Sequence, residues 1–472
     1  LTVDAKDFIN RQRVLEKING GYKVDIENAS VKQALSLASN PHVQSIDIED
    51  SSSNISSYWN QLLDINEQLD DIGISGARVS ITADQYELGL EADIQDKILQ
   101  SDIPVTFAIK DANIDQALNL VTEDQASKYI SSLEIKDSGV NIVGNLAELK
   151  LLLADTTIST SLFQVDPKNS LEITYSKFEE FDSVFDAISG QSYKLTVSGA
   201  NVDQALNMAA ANPVNPVGKN LNFRNVSSIN IEDSTTELSE NINSLLTMGK
   251  KLTRINLTNS TDNISITHEQ YLKGKSVLDR INDDYSLDIK DAAVYNASSI
   301  LNNTKVKALS VYGSASYISK AWDSLVGFGS KLKTILNTTN YVADTAITKA
   351  ATSIGLNISQ WLNSSTLIGK ISAQGSNKFA IFDASVEDAI NIMEDPLQNG
   401  LVTDIKVTDT SAVIDNAFDR VNNLASASLT WLSESKVTAI HLADPAVPMD
   451  LDFSQIDLAA NILVLDKIKT DF

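Results

Sequence analysis

Cysteine is absent from this chain, and its 472 residues include only 8 prolines, 19 glycines and 3 histidines. Without cysteine there is no disulfide framework, no thiol nucleophile and no cysteine-ligated zinc or iron–sulfur site. Basic residues are also scarce, because 37 Lys and Arg are outnumbered by 62 Asp and Glu, which leaves a net charge of −25. That charge repels phosphate backbones and argues against a nucleic-acid partner.

Membrane-spanning and targeting segments are not recognisable in the sequence. There is no run of about 18 consecutive apolar residues, so no transmembrane helix is expected. The chain begins at Leu1 without a basic stretch followed by an apolar core, so no signal peptide is recognised, and a cleaved signal is left open. A hydrophobic fraction of 43% with 21% charged residues is too apolar for a disordered acidic polymer.

The clearest feature that is present is an internal repeat. A run of alternating apolar residues ends in an acidic or small residue, then an alanine, then the start of a helix. These alanines are Ala29, Ala112, Ala200, Ala292 and Ala384, and their successive separations are 83, 88, 92 and 92 residues. The pattern predicts one continuous array over 1–472, with units at about 1–21 (partial), 22–104, 105–192, 193–284, 285–376 and 377–472.

A second aligned segment follows in every unit. In the first unit it reads VQSIDIEDS at 43–51, where the alternation predicts a strand and the final Asp-Ser predicts the start of a helix. One position of that helix is aromatic in some units and aliphatic in others, which indicates a core site and not a ligand platform. The residues at this position are Trp59, Ile242, Trp322 and Phe418.

A further segment, VSITADQY at 79–86, closes the unit and leads into another helix. Copies lie at 171–178 and 264–271, and the two chain ends carry copies at 1–8 and 451–458. The fourth unit is longer and shows no recognisable copy. We therefore predict an insertion at about 340–371, with extra helix over 345–371. Insertions in solenoids lie on one face and often bind ligands, although a decorated loop is the simpler interpretation.

Short strands alternating with helices predict parallel pairing through crossover helices. Repeated along a chain, this arrangement gives the predicted fold class: α/β, a repeat solenoid with parallel strands on one side and helices on the other. About five superrepeats of 83–92 residues are expected.

Recurring carboxylates are the one candidate metal site. The residues are Asp50, Asp137, Asp233 and Asp409, and Gly313 replaces them in the fourth unit. Such a column could bind Ca²⁺, which takes six to eight oxygen ligands. The simpler interpretation is that each aspartate caps the helix that follows it, worth about 1 kcal/mol, so that Asp50→Asn would be nearly neutral. No catalytic residue and no other cofactor is predicted.

The histidines and the common enzyme motifs offer no site. His42, His268 and His441 lie in different units at different repeat positions, so we interpret them as surface residues. The motifs GxGxxG, GxxxxGK[ST], GxSxG and HExxH are missing, which argues against the commonest enzyme classes.

The combination of ITADQY, Y-x-L-x-I-x-D-A and V-x-S-I-x-I-x-D-S resembles a known repeat type over essentially the whole chain. It is similar to the strand–helix repeats of very large proteobacterial secreted surface proteins, the type I-secreted, RTX-associated adhesins and surface-layer-like repeat proteins. The resemblance implies an extracellular location and transfers no catalytic residue. Such proteins often carry calcium-binding nonapeptides and a C-terminal secretion signal, and neither occurs in this chain.

Two hypotheses of function follow. The leading one is a non-enzymatic extracellular structural repeat protein: an adhesin stalk, a surface-layer component or a building block of a matrix or filament. Its partners would be neighbouring repeats, copies of itself placed end to end, or a component of the cell surface or matrix. The alternative is a ligand- or glycan-binding module that uses the insertion at 340–371. A coil of the solenoid is one strand with the helix that follows it. An enzyme would need Asp, Lys or His side chains clustered on one face of such a coil, and the sequence shows no such cluster.

Overall fold

The computed structural model describes residues 1–18, 20–99, 104–122, 127–166, 168–189, 193–211, 214, 223–338, 353–372, 377–418, 427–451 and 459–469. These residues form an α/β protein with five small parallel sheets. The chain divides into two compact units, one of Leu1–Glu232 with Met248–Arg254 and the other of Asp233–Thr247 with Ile255–Phe472.

The first unit contains sheets A and B and most of sheet C, and within each sheet neighbouring strands follow one another along the chain. Sheet A consists of β1 (Thr2–Asp4), β2 (Val24–Ala29), β3 (Val43–Ser51) and β4 (Leu69–Ser75). Sheet B consists of β5 (Arg78–Thr82), β6 (Thr106–Ala112), β7 (Ile130–Asp137) and β8 (Ser159–Gln164). Sheet C consists of β9 (Ser170–Thr174), β10 (Lys194–Ala200), β11 (Val226–Asp233) and β12 (Leu252–Leu257), whose last three residues belong to the second unit.

Short helices follow most of these strands. They are α1 (Ala5–Leu15), α2 (Val31–Leu37), α3 (Ser52–Ser57), α4 (Trp59–Asp64), α5 (Ala83–Glu91), α6 (Ile94–Leu99), α7 (Ile114–Thr122), α8 (Gly139–Gly144), α9 (Leu146–Ala154), α10 (Tyr175–Glu180), α11 (Asp182–Ala187) and α12 (Val202–Ala209). Capping residues start several of them: Ser30 caps α2 and Thr82 caps α5, and in both a glutamine three residues later completes a capping box.

The second unit begins with α13 (Thr235–Leu245) and contains sheets D and E. Sheet D consists of β13 (Asn263–Thr267), β14 (Ser286–Ala293), β15 (Val306–Gly313) and β16 (Leu332–Asn337), with α14 (His268–Lys273), α15 (Lys275–Leu278), α16 (Ala297–Leu301) and α17 (Ala315–Gly327). Sheet E consists of β17 (Ser353–Asn357), β18 (Lys378–Ala384), β19 (Val402–Asp409), β20 (Val437–Leu442) and β21 (Ile468–Lys469). Its helices are α18 (Ile358–Leu362), α19 (Ser365–Ser372), α20 (Val386–Glu394), α21 (Pro396–Leu401), α22 (Ser411–Phe418), α23 (Ala427–Ser433) and α24 (Ala459–Leu465).

One backbone irregularity recurs in all five sheets. The second strand of each sheet has a β-bulge directly before the repeated alanine. The bulge residue has φ between 54° and 66°, the left-handed region that Gly, Asn and Asp tolerate best. These residues are Asn28, Asp111, Gly199, Asp291 and Asp383. The left-handed backbone at the bulge therefore explains why an acidic or small residue recurs before each repeated alanine.

The predicted core position is confirmed. Trp59 and Trp322 are completely buried, as are Ile242 and Phe418 at the equivalent position. Each tryptophan also satisfies its indole N–H. Trp59 Nε1 donates to the carbonyl of Gln85 at 2.8 Å. Trp322 Nε1 donates to Ser364 Oγ at 2.9 Å.

The predicted extra helix over 345–371 is right for α18 and α19 and wrong for the residues just before them. Ser353–Asn357 is strand β17, which pairs in parallel with β18. Asn357 and Gln360 form the same capping box as Thr82 and Gln85 in β5–α5. The closing segment of the repeat is therefore present here, with only its residue types changed, and the part of the predicted insertion over 340–352 lies outside the described residues.

The sheet boundaries differ from the unit boundaries predicted from the sequence. Each sheet begins with the closing segment, which the prediction placed at the end of a unit. The copy at 1–8 forms β1 and the start of α1. Of the copy at 451–458, residues 452–458 lie outside the described residues.

Candidate functional site

The repeated aspartates accept hydrogen bonds from the helix of the preceding coil. Ser51 Oγ, and not Asp50, accepts the N–H of Asn54 and caps α3. Asp50 Oδ2 instead accepts the N–H of Val31, the first residue of α2, at 2.9 Å. The same contact joins Asp137 to Ile114 of α7 at 3.0 Å and Asp409 to Val386 of α20 at 3.1 Å. Capping of the following helix by the aspartate was therefore the wrong prediction: the aspartate satisfies an otherwise unpaired N–H of the preceding helix.

The second oxygen of Asp50 is also occupied. Oδ1 accepts the N–H of Ser51 and the Nδ2–H of Asn54, both at 2.7 Å. Burial acts to raise the pKa of Asp50, but the hydrogen bonds from Asn54, Val31 and Ser51 outweigh it and lower the pKa below its usual value. Because both oxygens face only donors, an amide would turn its NH₂ toward one of them. We therefore replace the expectation that Asp50→Asn is nearly neutral by the prediction that it destabilises the chain.

Sheet D replaces this contact with packing. An added Cβ on Gly313 would lie 2.9 Å from Val294 Cγ1, so the side chain of Val294 occupies the space of the missing carboxylate. Val294 begins a 3₁₀ turn that has no side-chain cap, whereas α2 and α20 begin with capping boxes.

Metal ligation by the aspartates has no geometric support in the part of the chain that the structure describes. Within that part, no group of three or more His, Asp or Glu side chains is arranged to hold an ion. Asp233 Oδ1, like that of Asp50, accepts the N–H of the following serine at 2.7 Å. The carboxylates are thus engaged with backbone N–H groups of the following residue and of the preceding helix.

In sheets A, C and D the helix after the third strand carries a serine that bonds to the first strand of the next sheet. Ser56 Oγ accepts the N–H of Ser80 in β5 at 2.8 Å. Ser239 does the same for Ser265 in β13, and Ser319 for Gly355 in β17, both at 2.9 Å. These N–H groups lie on the first strand of a sheet and face away from the second strand. The hydroxyl therefore satisfies an edge group that no strand pairs.

The equivalent residue differs in sheets B and E. In α22 it is Asp415, whose Oδ2 accepts the N–H of Asp450 at 2.7 Å. In α8 it is Val143, which brings no acceptor to β9. A groove of about 670 Å³ lies at that point, lined by Gly139, Val143, Asp166, Lys168, Glu172 and Thr196. Asp166 is committed within it, because it accepts bonds from the Gly139 N–H at 2.9 Å and from Asn169 Nδ2 at 3.0 Å.

Lysines near the end of the closing segment form a second recurring contact. Lys97 Nζ donates to the carbonyl of Asn66 at 2.7 Å, and burial lowers the pKa of this lysine. Lys370 Nζ reaches the carbonyl of Gly329 at 3.0 Å, and Lys467 Nζ that of Leu432 at 2.9 Å. Each cation lies where a helical segment ends, where it complements the negative end of the helix dipole.

The described part of the predicted insertion borders an apolar groove. About 350 Å³ of space lies between α18–α19 and α21, lined by Trp361, Leu362, Ile368, Leu397 and Leu401. Trp361 Nε1 donates to Gln398 Oε1 at 2.9 Å, which holds the two sides together. Leu362 and Leu397 are exposed at its rim.

The histidines belong to separate elements. His42 stacks on Tyr22 with ring centroids 4.1 Å apart, His268 begins α14, and His441 lies in β20. Burial lowers the pKa of His268. None of the three histidines belongs to a group of three or more described side chains that could hold a metal ion.

Comparison of the chain with protein-family models, with curated protein sequences and with solved structures finds no match. Among the described helices, none combines the length and the apolar character needed to cross a bilayer.

The serine and lysine positions were missed from the sequence, although each has a signal. Ser56, Ser239 and Ser319 are five residues after the capping serine of their helices. A lysine directly before an isoleucine recurs at Lys97, Lys370 and Lys467. These polar positions were hidden because the alignment was built on apolar residues.

Proposed function

We propose that this chain is a non-enzymatic, extracellular structural repeat protein in which the five sheets stack as an α/β solenoid. Its role would be that of an adhesin stalk, a surface-layer component or a filament building block. Its partners would be neighbouring repeats. The observation that carries the proposal is the five-fold recurrence of one coil, with the same bulge before the same alanine in every sheet.

The contacts between successive sheets within a unit support stacking. Ser56 and Trp59 on the helices after β3 bond to Ser80 and Gln85 of the next sheet's first coil. Ser319 and Trp322 bond to Gly355 and Ser364 in the second unit. The preceding helix supplies hydrogen-bond acceptors to the strand edge, so this edge does not need to pair with another strand. An extended array requires sheet edges that are covered in this way.

The use of polar side chains supports a structural role. The repeated aspartates, serines and lysines bond to backbone groups of neighbouring coils, where they position strands and helix ends. Composition adds to this, because a cysteine-free acidic chain suits secretion as an unfolded polypeptide followed by folding outside the cell. The proposal includes no cofactor, and calcium would act only as an accessory ion.

Localisation and imaging test the proposal together. Antibodies raised against the chain would be used for fractionation and immunogold microscopy of the cells that produce it. We expect label outside the cell envelope on extended structures. Label confined to the cytoplasm would contradict the extracellular role, and a measurable turnover of polysaccharide or protein substrates would contradict the non-enzymatic one.

A second candidate function is ligand or glycan binding at the groove between α18–α19 and α21. The exposed Leu362 and Leu397 beside the buried Trp361 favour it. Deleting residues 340–370 is not a clean test, because Ile354 and Leu356 of β17 are core residues. Leu397→Asp is cleaner, with Leu151→Asp on the exposed face of α9 as the matched control. A glycan-array signal lost only with Leu397→Asp would support binding here.

A further inference from the structure

The face formed by β1 and α1 differs from the equivalent faces at the start of sheets B to E. Leu1 is 64% exposed and Val14 is 65% exposed. The residues at the Leu1 position in sheets B to E are fully buried: Val79, Leu171, Ile264 and Ile354. Those at the Val14 position are also buried: Ile94, Val184, Val277, Leu367 and Val464. The first coil thus exposes apolar side chains that the copies in sheets B to E bury.

Polar groups on this face also lack hydrogen bonds that the equivalent groups of later coils make. Lys17 precedes Ile18 as Lys97 precedes Ile98, but Lys17 is exposed and reaches no carbonyl of the described residues. Thr2 occupies the place of Ser80, Ser265 and Gly355, whose N–H groups each meet a serine hydroxyl. No described serine reaches Thr2.

The later copies show what covers such a face. In sheet B, α6 packs on β4 and Lys97 meets the carbonyl that precedes β4. In the second unit the backbone of Ile281, four residues after Val277, forms a parallel bridge to Ile255. The covering surface therefore consists of a third-strand helix with its serine, the carbonyls at a helix end, and the edge of a fourth strand.

We propose that the β1–α1 face, defined by Leu1, Thr2, Val14, Lys17 and Ile18, is a docking surface for one further repeat of this same kind. The incoming repeat would bury Leu1 and Val14, offer a serine hydroxyl to the Thr2 N–H and accept Lys17 at a helix end. This inference rests on the proposed solenoid and extends it to a specific interface. The later junctions supply the contacts by which the repeat would be recognised.

The absence of cysteine allows a direct test with single thiols. Val14→Cys would be placed in the complete chain and in a fusion that adds residues 1–263 ahead of Leu1, so that Leu1 takes the place of Ile264. Val277→Cys is the matched buried position, and Val140→Cys in α8 is the exposed control. Maleimide labelling rates are then compared, with Leu1→Cys as a second probe of the same face.

We expect Val14→Cys and Leu1→Cys to react as fast as Val140→Cys in the unfused chain, and at least about tenfold more slowly in the fusion, where labelling requires local opening. Unchanged labelling of both probes in the fusion would overturn the docking surface. If Val277→Cys reacts rapidly in the unfused chain, the packing between coils is wrong and the proposed solenoid fails as well. Slow labelling of Val277→Cys with no protection of Val14→Cys overturns the docking surface alone.

Discussion

Sheets A and D have the same core but different helix starts. Trp59 and Trp322 are both buried, and each meets a phenylalanine of the next sheet edge to face, with centroids 6.3 Å apart for Phe107 and 6.2 Å for Phe379. At the end of the third strand, Asp50 of sheet A accepts an N–H from α2, whereas Gly313 of sheet D makes room for Val294.

This difference separates what the repeat needs from what it can exchange. The tryptophan position and the left-handed bulge occur in both sheets, at Asn28 and Asp291. The aspartate, in contrast, can be replaced by apolar packing. A buried N–H at the start of the preceding helix needs an acceptor such as Asp50, unless the backbone there takes a conformation that no longer requires one. In sheet D the 3₁₀ turn that begins at Val294 provides the different backbone.

The tryptophans should give the largest effects, and equal ones if the two cores are equivalent. Trp59→Ala and Trp322→Ala each remove a fully buried indole and leave a cavity, at a cost of about 3–5 kcal/mol in the free energy of unfolding. Urea unfolding followed by circular dichroism measures both. A cost below about 1 kcal/mol at either position would show that the two cores are not equivalent.

The aspartate should matter in sheet A even when its shape is kept. Asp50→Asn and Asp50→Ala both remove an acceptor from donors that the carboxylate satisfies, and each should cost about 2 kcal/mol. Asn54→Ala is a control that removes one donor and leaves the acceptor in place. An Asp50→Asn variant as stable as the unaltered chain would restore simple capping of the following helix.

Sheet D should respond to overfilling. Gly313→Ala places a methyl group against Val294 and should cost about 1–3 kcal/mol. Adding Val294→Ala should recover part of that loss in a double-mutant cycle, because the two side chains compete for one space. Additive losses would show that Val294 does not fill the space of the missing carboxylate.

Acid should weaken sheet A through Asp50. Its pKa is lowered on folding, so its contribution to stability is present above the pKa of the unfolded chain and is lost as the pH falls through the folded value. The stability difference between the unaltered chain and Asp50→Asn should therefore shrink on acidification from pH 7. Urea titrations at several pH values check this, and a difference that is constant with pH would contradict it.

The junction serines should give the smallest effect. Ser56→Ala and Ser319→Ala each remove one neutral hydrogen bond to a strand edge and should cost about 1 kcal/mol. Val143→Ser is the converse change, because α8 lacks the hydroxyl. Hydrogen exchange at Ser80, Gly355 and Glu172 reports the three changes directly. Unaltered exchange at Ser80 in Ser56→Ala would show that the hydroxyl does not hold the edge.

Much of this architecture is visible in the sequence, because apolar periodicity determines it. The alternation in VQSIDIEDS predicts β3, and the shared position of Trp59 and Trp322 predicts a buried site. Parallel pairing follows from strands that alternate with helices, and the α/β class is confirmed. These features depend on side-chain burial, which is evident from the periodic spacing of apolar residues in a single sequence.

Polar contacts between coils were predicted less well. Asp50 precedes the serine that caps α3, so its neighbours in sequence suggest a local role, while its partner Val31 is 19 residues earlier. The segment Ser353–Leu362 was missed because Gly355 and Asn357 replace the residues that identify the other copies. In both cases the decisive contact is long-range and involves backbone atoms, which carry no residue-type signal.

Small-angle X-ray scattering of the chain tests the central claim, the stacking of the sheets into one solenoid. A compact body of this length would have a radius of gyration of about 23 Å. The twenty-one strands of the described residues, stacked about 4.8 Å apart as proposed, would instead extend for about 100 Å. We predict a rod-like profile with a radius of gyration clearly above the compact value. A radius of gyration near 23 Å with a globular distance distribution would contradict the solenoid.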